Sequence, residues 1–319
     1  MLHPLNNSGI SAKKRINQNM TISFEGKVAI VTGAGGGLGR CHALELARRG
    51  AKVVVNDLGG SVDGSGGSSE AADKVVEEIK ALGAEAISNG SSVTDDAGVA
   101  NLVKQTMDAF GRIDILINNA GILRDKSFAK MDQKDWDLVV DVHLAGSAKA
   151  TKAVWPIMKE QQYGRIMMTS SSSGLYGNFG QANYGAAKLG LAGLMNTLKI
   201  EGQKDNIKVN TLAPVAFTRM TENLMPPEAE AMLKPEFVSP GVMILVSDDA
   251  PTGTILCAGA GVFAAAQVVE ADGVYVGRDN LTAEKVLENW DQITDFSNSK
   301  PFFMGGEQTG KFFEKASGK

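Results

Sequence analysis

The chain has 319 residues, 43% of them hydrophobic and 6% aromatic, with a formal net charge of −4. That balance argues against intrinsic disorder and against a nucleic-acid partner, which calls for a basic face. Glycine is in surplus, 37 residues against a usual ~7% of a chain, but no G-X-Y period exists and collagen is excluded. Cys41 and Cys257 have no C-x-x-C spacing, and His3, His42 and His143 form no ligand cluster. No zinc and no disulfide framework are therefore expected, and the sequence reads as that of a cytoplasmic protein.

Residues 1–22 read as a mobile tail, in which Lys13-Lys14-Arg15 is followed by no apolar run of the secretory kind, and Met20 is a candidate natural start. The closing Ala316-Ser317-Gly318-Lys319 is not a peroxisomal address of the S-K-L kind. Lys27–Thr32 predicts a first strand, and Leu38–Arg49 a helix with Leu38, Cys41, Leu44, Leu46 and Ala47 on one face. Strand and helix signals then alternate: Lys52–Val55, helix Ala71–Leu82, Ala84–Ile87, helix Val99–Phe110, Ile113–Ile117, a long helix Trp136–Met158, Arg165–Thr169, helix Tyr184–Gly202, Ile207–Leu212 and Thr254–Cys257. Ala250–Val269 carries no charge for 20 residues, but Pro251, Gly253, Gly259 and Gly261 break it into a strand and a surface turn, so no membrane span is expected. Apolar strands alternating with helices predict an α/β fold: one Rossmann-type, doubly wound parallel sheet of about seven strands with helices on both faces. The expected organisation is a single catalytic domain, 23–319, with a C-terminal extension from about 262.

The first strand runs into Thr32-Gly33-Ala34-Gly35-Gly36-Gly37-Leu38-Gly39 and then a helix. Gly33 permits the tight turn, Gly37 lets the backbone approach a pyrophosphate, and Gly39 lets the helix pack on the sheet. The free N–H groups of the helix start would bind the phosphates. Asp57 ends the second strand, where a carboxylate accepts from both adenosine ribose hydroxyls and repels the extra phosphate of NADP, so the expected cofactor is NAD. Gly59 to Ser69, rich in Gly and Ser, is an insertion at the cofactor's rim.

Tyr184 and Lys188, four residues apart on a helix, share a face at about 6 Å. A tyrosine titrates near 10, and an adjacent ammonium would stabilise its phenolate so that it could serve as base for an alcohol. Ser171, 13 positions earlier at the end of the fifth strand, could hold the substrate oxygen. Asn118-Asn119-Ala120-Gly121 ends the fourth strand with small residues, along which a cofactor could lie. A methyltransferase needs no such Ser, Tyr and Lys set, and a non-catalytic nucleotide sensor would not be expected to keep both Tyr184 and Lys188.

Together TGAGGGLG, Asp57, NNAG, Ser171 and Tyr184-x-x-x-Lys188 resemble the short-chain dehydrogenase/reductase family over residues 24 to about 260. The resemblance implies hydride transfer between NAD and a secondary alcohol or ketone, with Ser171, Tyr184 and Lys188 catalytic. It implies cofactor contacts at Leu38, Ser92, Val93, Asn119, Ala120, Gly121, Tyr184, Lys188, Pro214 and Thr218, and a homodimer or homotetramer. His143 stands where most members carry an Asn that seats a relay water, and is kept as a candidate relay residue.

Asn56-Asp57-Leu58-Gly59-Gly60, Gly121-Ile122-Leu123-Arg124-Asp125 and the stretch Tyr176 to Tyr184 are similar to the dehydrogenase unit of peroxisomal multifunctional β-oxidation enzymes. That likeness implies D-3-hydroxyacyl-CoA as substrate. A 17β-type hydroxysteroid is the alternative, and a 3-oxoacyl carrier-protein reductase is disfavoured by Asp57. The chain reads as a free-standing relative without hydratase or sterol-carrier parts. Arg124, Phe179, Met220, Leu224 and Met225 are the candidate substrate residues: a Met-rich stretch after Pro214 could cover an acyl chain or sterol, and Arg124, Lys126, Lys130, Arg219 and Lys234 could meet CoA phosphates.

Overall fold

The computed structural model describes residues 21–221, 228–279 and 281–318. Eight strands form one sheet: β1 (Val28–Thr32), β2 (Lys52–Asn56), β3 (Ala86–Asn89), β4 (Ile115–Asn118), β5 (Gly164–Thr169), β6 (Ile207–Pro214), β7 (Ile255–Gly259) and β8 (Val262–Ala266). They lie in the order β3-β2-β1-β4-β5-β6-β7-β8. Every neighbouring pair from β3 to β7 is parallel, with β1 matched to β2 from Val28↔Lys52 to Thr32↔Asn56 and to β4 at Ala29↔Ile115. All five residues of β1, all four of β4 and all six of β5 are buried, as a sheet covered on both faces requires. The chain order reverses between β1 and β4, and the crevice beyond their carboxyl ends is where an open sheet of this kind takes ligands.

The connecting helices are α1 (Gly37–Arg48), α2 (Glu70–Ala81), α3 (Asp96–Phe110), α4 (Gln133–Val140), α5 (Gly146–Gln161), the short α6 (Ser172–Tyr176), α7 (Ala182–Glu201), α8 (Ala229–Met232) and α9 (Ser239–Leu245). Helix α1 packs against α2 and α9, and α3 against α5. Two features depart from the sequence reading. The long helix Trp136–Met158 contains a π turn at Asp141–Ala145, between α4 and α5, which carries His143. Such bulges frequently mark functional sites. The sheet has an eighth strand, because Ala260 (φ 51°) and Gly261 (φ 75°) make a two-residue hairpin turn after β7. A sequence pattern places Gly261 in a turn, but not the non-glycine Ala260 at positive φ.

The chain divides into two compact units at Ala265/Ala266. The second, 266–319, pairs Glu270 with Lys300 and contains α10 (Ala283–Glu288), α11 (Trp290–Ile293) and α12 (Gly305–Ala316). Within it, the buried Lys311 donates to the Ala271 carbonyl at 2.8 Å and pairs with Glu270 at 2.5 Å. Among the described residues no helix is long and apolar enough to cross a membrane, and no group of three His, Cys, Asp or Glu could hold a metal ion.

His42, wholly buried on α1, meets the Ser239 hydroxyl at 2.8 Å through Nδ1, and burial pushes its pKa down from 6.5 to about 3. The unfolded chain binds that proton near pH 6.5 and the folded chain only near 3, so stability is full above 6.5 and falls as the pH drops through this window. The loss is at most about 1.4 kcal/mol per pH unit for one such histidine. Urea midpoints are expected to fall between pH 7 and 5, and His42→Leu to flatten the fall; an equal slope in the variant would show that another group sets it.

Candidate active site

A hollow of about 350 Å³ opens at the carboxyl ends of β1, β2 and β4, lined among others by Gly37, Asp57, Ser92, Ala120 and Thr218. Gly33 (φ +63°) turns the chain out of β1, and a Cβ there would lie 2.7 Å from the Ala120 Cα. A Cβ on Gly39 would run into the Gly33 carbonyl oxygen, so glycine is what lets α1 sit on the turn. The first turn of α1 has no side-chain cap and no acidic residue, which leaves its N–H groups for an anion. Asp57 accepts from the Gly35 amide at 2.7 Å through Oδ2 and from the Gly59 amide at 2.6 Å through Oδ1. A carboxylate has about four acceptor directions, so each oxygen keeps one for a hydroxyl. These features fit a dinucleotide with its phosphates at α1 and its ribose at Asp57. Leu38, Val93, Asn119 and Gly121 also line the hollow. A Cβ on Gly36 would lie 3.7 Å from the Arg219 guanidinium, so Arg219 stands at the phosphate turn.

The Asn119 side chain donates to the Thr32 and Gly33 carbonyls at 3.0 Å each, and the Thr32 hydroxyl accepts from the Asn119 and Ala120 amides at 3.0 and 3.1 Å. Those bonds tie the end of β4 to the end of β1 and hold the Ala120-Gly121 backbone along the hollow. Gly121 is small for a second reason: a Cβ there would collide with the His143 ring.

Ser171, Tyr184 and Lys188 come together beyond β5. Tyr184 lies in the first turn of α7, and the Lys188 ammonium stands 5.4 Å from its ring centroid. The Lys188 Nζ donates to the Thr169 carbonyl at 2.5 Å, and its backbone carbonyl accepts from the Ser170 hydroxyl at 2.7 Å. The Ser171 side chain is buried, accepts from the Ser173 amide at 3.2 Å, and lies near enough to the Tyr184 hydroxyl to pull its pKa down. Burial pushes Tyr184 up to about 12, against a smaller downward pull from Ser171, and pushes Lys188 down to about 7. The sequence reading has Lys188 lower Tyr184; in the free chain burial and Asp125 raise it and Ser171 alone pulls it down, while the ammonium lies toward the ring and the Thr169 carbonyl.

His143 packs edge-on against Tyr184, with ring centroids 5.1 Å apart. Its Nε2 lies 2.8 Å from the Ile122 carbonyl and 3.1 Å from the Ile122 amide, while the buried Nδ1 has no partner in the described structure. Burial, with the neighbouring Lys188, drives His143 well below its usual pKa, so it is a neutral imidazole.

Sequence reasoning missed Asn183. Wholly buried, it donates to the Arg124 and Asp135 carbonyls at 3.2 and 3.4 Å and accepts from the Tyr184 amide at 2.7 Å, anchoring the start of α7. An Asn before a Tyr carries no sequence signal for those tertiary contacts. Of the candidate substrate residues, Met220 lines the hollow and Phe179 is 91% exposed. Arg124 is engaged by Asp135 and by the Asp63 carbonyl. Leu224 and Met225 lie outside the described residues. Pro214 ends β6, and the Thr218 methyl would lie 3.6 Å from a Cβ on Gly37. A separate, open hollow of about 660 Å³ beside Trp155, Lys159 and Glu201 contains none of these residues.

Residues 27–229 match the family model described as short chain dehydrogenase. The chain belongs to that family. It is an oxidoreductase of CH–OH groups. It is 54% identical over 280 residues to peroxisomal multifunctional enzyme A of Dictyostelium discoideum, covering 88% of this chain and 62% of that one. The structure of full-length peroxisomal multifunctional enzyme type 2 from Drosophila melanogaster matches with a TM-score of 0.77 and 40% identity, over 93% of this chain and 50% of that one. A 7α-hydroxysteroid dehydrogenase complexed with NADH and 7-oxo glycochenodeoxycholic acid matches with a TM-score of 0.68 and 28% identity, over 75% and 95%. The chain thus spans less than two thirds of the multifunctional relatives.

Proposed function

We propose that this dehydrogenase oxidises D-3-hydroxyacyl-CoA to 3-oxoacyl-CoA with NAD. The observation that carries the reading is the cluster of Ser171, Tyr184 and Lys188 beyond β5, joined through His143, which packs on Tyr184, to Gly121 and Ile122 at the wall of the hollow that holds the glycine turn and Asp57. NAD, when bound, supplies the hydride acceptor and a positively charged ring. Ser171 holds the substrate oxygen by a hydrogen bond. Tyr184 takes the hydroxyl proton, and Lys188 offsets the negative charge on the phenolate. His143 fixes the Tyr184 ring from one side, and its unpaired Nδ1 is the atom with which it would relay a proton. Because burial holds Tyr184 protonated, alcohol oxidation speeds up as the pH rises.

The choice of NAD over NADP rests on Asp57. Asp57→Ala removes the repulsion of a 2′-phosphate and the ribose acceptor together, so kcat/KM with NAD falls and with NADP rises. The ratio is expected to move by at least tenfold, read from initial rates with each cofactor; an unmoved ratio would remove Asp57 from the selectivity.

The acyl-CoA choice draws on the likeness to the multifunctional relatives, which are named peroxisomal; the cytoplasmic reading of this chain draws on its free Cys41 and Cys257. A homodimer or homotetramer belongs to the same reading by family likeness. One observation favours a second substrate class, a hydroxysteroid: the match to the 7α-hydroxysteroid dehydrogenase. NADH formation with D- and L-3-hydroxyacyl-CoA of several lengths, beside a steroid panel, separates them. The proposal expects the D-thioesters to turn over fastest, and activity on steroids alone would overturn it.

A further inference from the structure

The Gly/Ser insertion after β2 is not needed for the chemistry above, yet it is built into the site. Its base closes where the Ser68 amide donates to the Leu58 carbonyl at 2.9 Å. Inside it, the Ser61 amide donates to the Ser65 carbonyl at 2.8 Å, and the Asp63 carboxylate accepts from the Ser65 amide at 3.0 Å and from the Ser61 and Ser65 hydroxyls. So tied, the loop behaves as one piece. Its Gly60, Ser61, Val62 and Gly64 line the hollow that also holds Asp57 and Ser92.

The far side of this piece is fastened to the chain after β4. The Leu123 amide donates to the Val62 carbonyl at 3.0 Å, and Arg124 Nε donates to the Asp63 carbonyl at 2.9 Å. Gly64 lies against Ile122, so closely that a Cβ on it would stand 3.2 Å from the Ile122 side chain. Arg124 is fixed from behind by Asp135 on α4, which meets its Nη1 at 2.8 Å. The guanidinium therefore bridges α4 and the insertion.

We propose that Arg124 is a positioning residue of the dinucleotide site, latching the insertion as the outer wall of the hollow, and does not serve as a contact for the substrate's CoA phosphates. The inference rests on the reading of the hollow as the NAD site. Its physical content is kinetic. An occupant of the hollow leaves faster when the wall is unlatched, and the wall is held by one charge-assisted hydrogen bond, one backbone bond and one apolar contact.

The test is the release rate of NADH from the full chain, by stopped-flow displacement, alongside KM for NAD and for the hydroxyacyl-CoA. Arg124→Gln is expected to release NADH about tenfold faster, equivalent to about 1.4 kcal/mol. It is expected to raise KM for NAD, with KM for the thioester within about twofold; Arg124→Lys recovers part of the loss. A second variant excises residues 60–67 and joins Gly59 to Ser68, whose backbones already touch. It is expected to release NADH at least as fast as Arg124→Gln. Unchanged NADH release with a raised KM for the thioester would overturn the inference and return Arg124 to the substrate. Fast release in Arg124→Gln but wild-type release in the excised chain would also overturn it, because the loop would then not be the latch. Absence of NADH binding in the wild-type chain would instead remove the reading of the hollow itself.

Discussion

Tyr184→Phe is expected to lower kcat by about 10²–10⁴-fold or more while NADH binds as before. The substitution removes one oxygen and leaves the ring, so the edge-on packing against His143 and the first turn of α7 are preserved. What disappears is the hydroxyl proposed to take the proton, the group whose pKa Ser171 pulls down. Asn183 still holds the Tyr184 amide and the Arg124 and Asp135 carbonyls, so the helix start does not move. Fluorescence titration with NADH and steady-state turnover on one sample distinguish lost chemistry from lost binding. Turnover retained in the variant would refute the assignment of the base.

The second large effect is at Lys188. An opposite charge within about 4–6 Å of a titrating group shifts its pKa by one to three units, so Lys188→Met should cost about 10–10³-fold in kcat near neutral pH. Methionine keeps most of the buried volume, which confines the change to the charge and to the bond with the Thr169 carbonyl. Burial holds Lys188 to a pKa of about 7 in the free chain, so its charge is sensitive to the surroundings. The deficit should shrink as the pH is raised toward 10, because wild-type Lys188 then loses the charge that distinguishes it from methionine. A deficit of constant size from pH 7 to 10 would mean that Lys188 acts by packing or by binding the cofactor, and not on Tyr184.

The periodic features of this fold were readable in the sequence. The β-branched run of β1, the glycine turn and Asp57 are local in sequence and local in space. Tyr184 and Lys188 are readable for the same reason, since four residues make one helical turn. Eleven of the 37 glycines lie between Gly33 and Gly67, and the structure gives several of them definite work: the turn out of β1, the seat of α1 and the wall of the hollow.

What escaped the sequence depends on contacts between distant segments. Ala260 at positive φ creates β8, although nothing in its residue type announces it. The π turn at Asp141–Ala145 leaves the helical pattern around it intact. Asn183 matters through three backbone groups, two of them on other segments. Arg124 looked like a free cation because Asp135, eleven residues on, and Asp63, on another loop, are joined to it only by the fold. Arg219 looked like one of several surface charges, and its place at Gly36 follows from the turn after β6.

Hydride transfer to NAD from the carbon bearing the hydroxyl can be followed with an isotope label. D-3-hydroxyacyl-CoA deuterated at C3 is incubated with the protein and NAD, and the cofactor is recovered for mass spectrometry. One deuterium is expected in the NADH for each 3-oxoacyl-CoA formed, and none when Tyr184→Phe replaces the wild-type chain. Product formed with unlabelled NADH, or with the deuterium in solvent, would contradict hydride transfer.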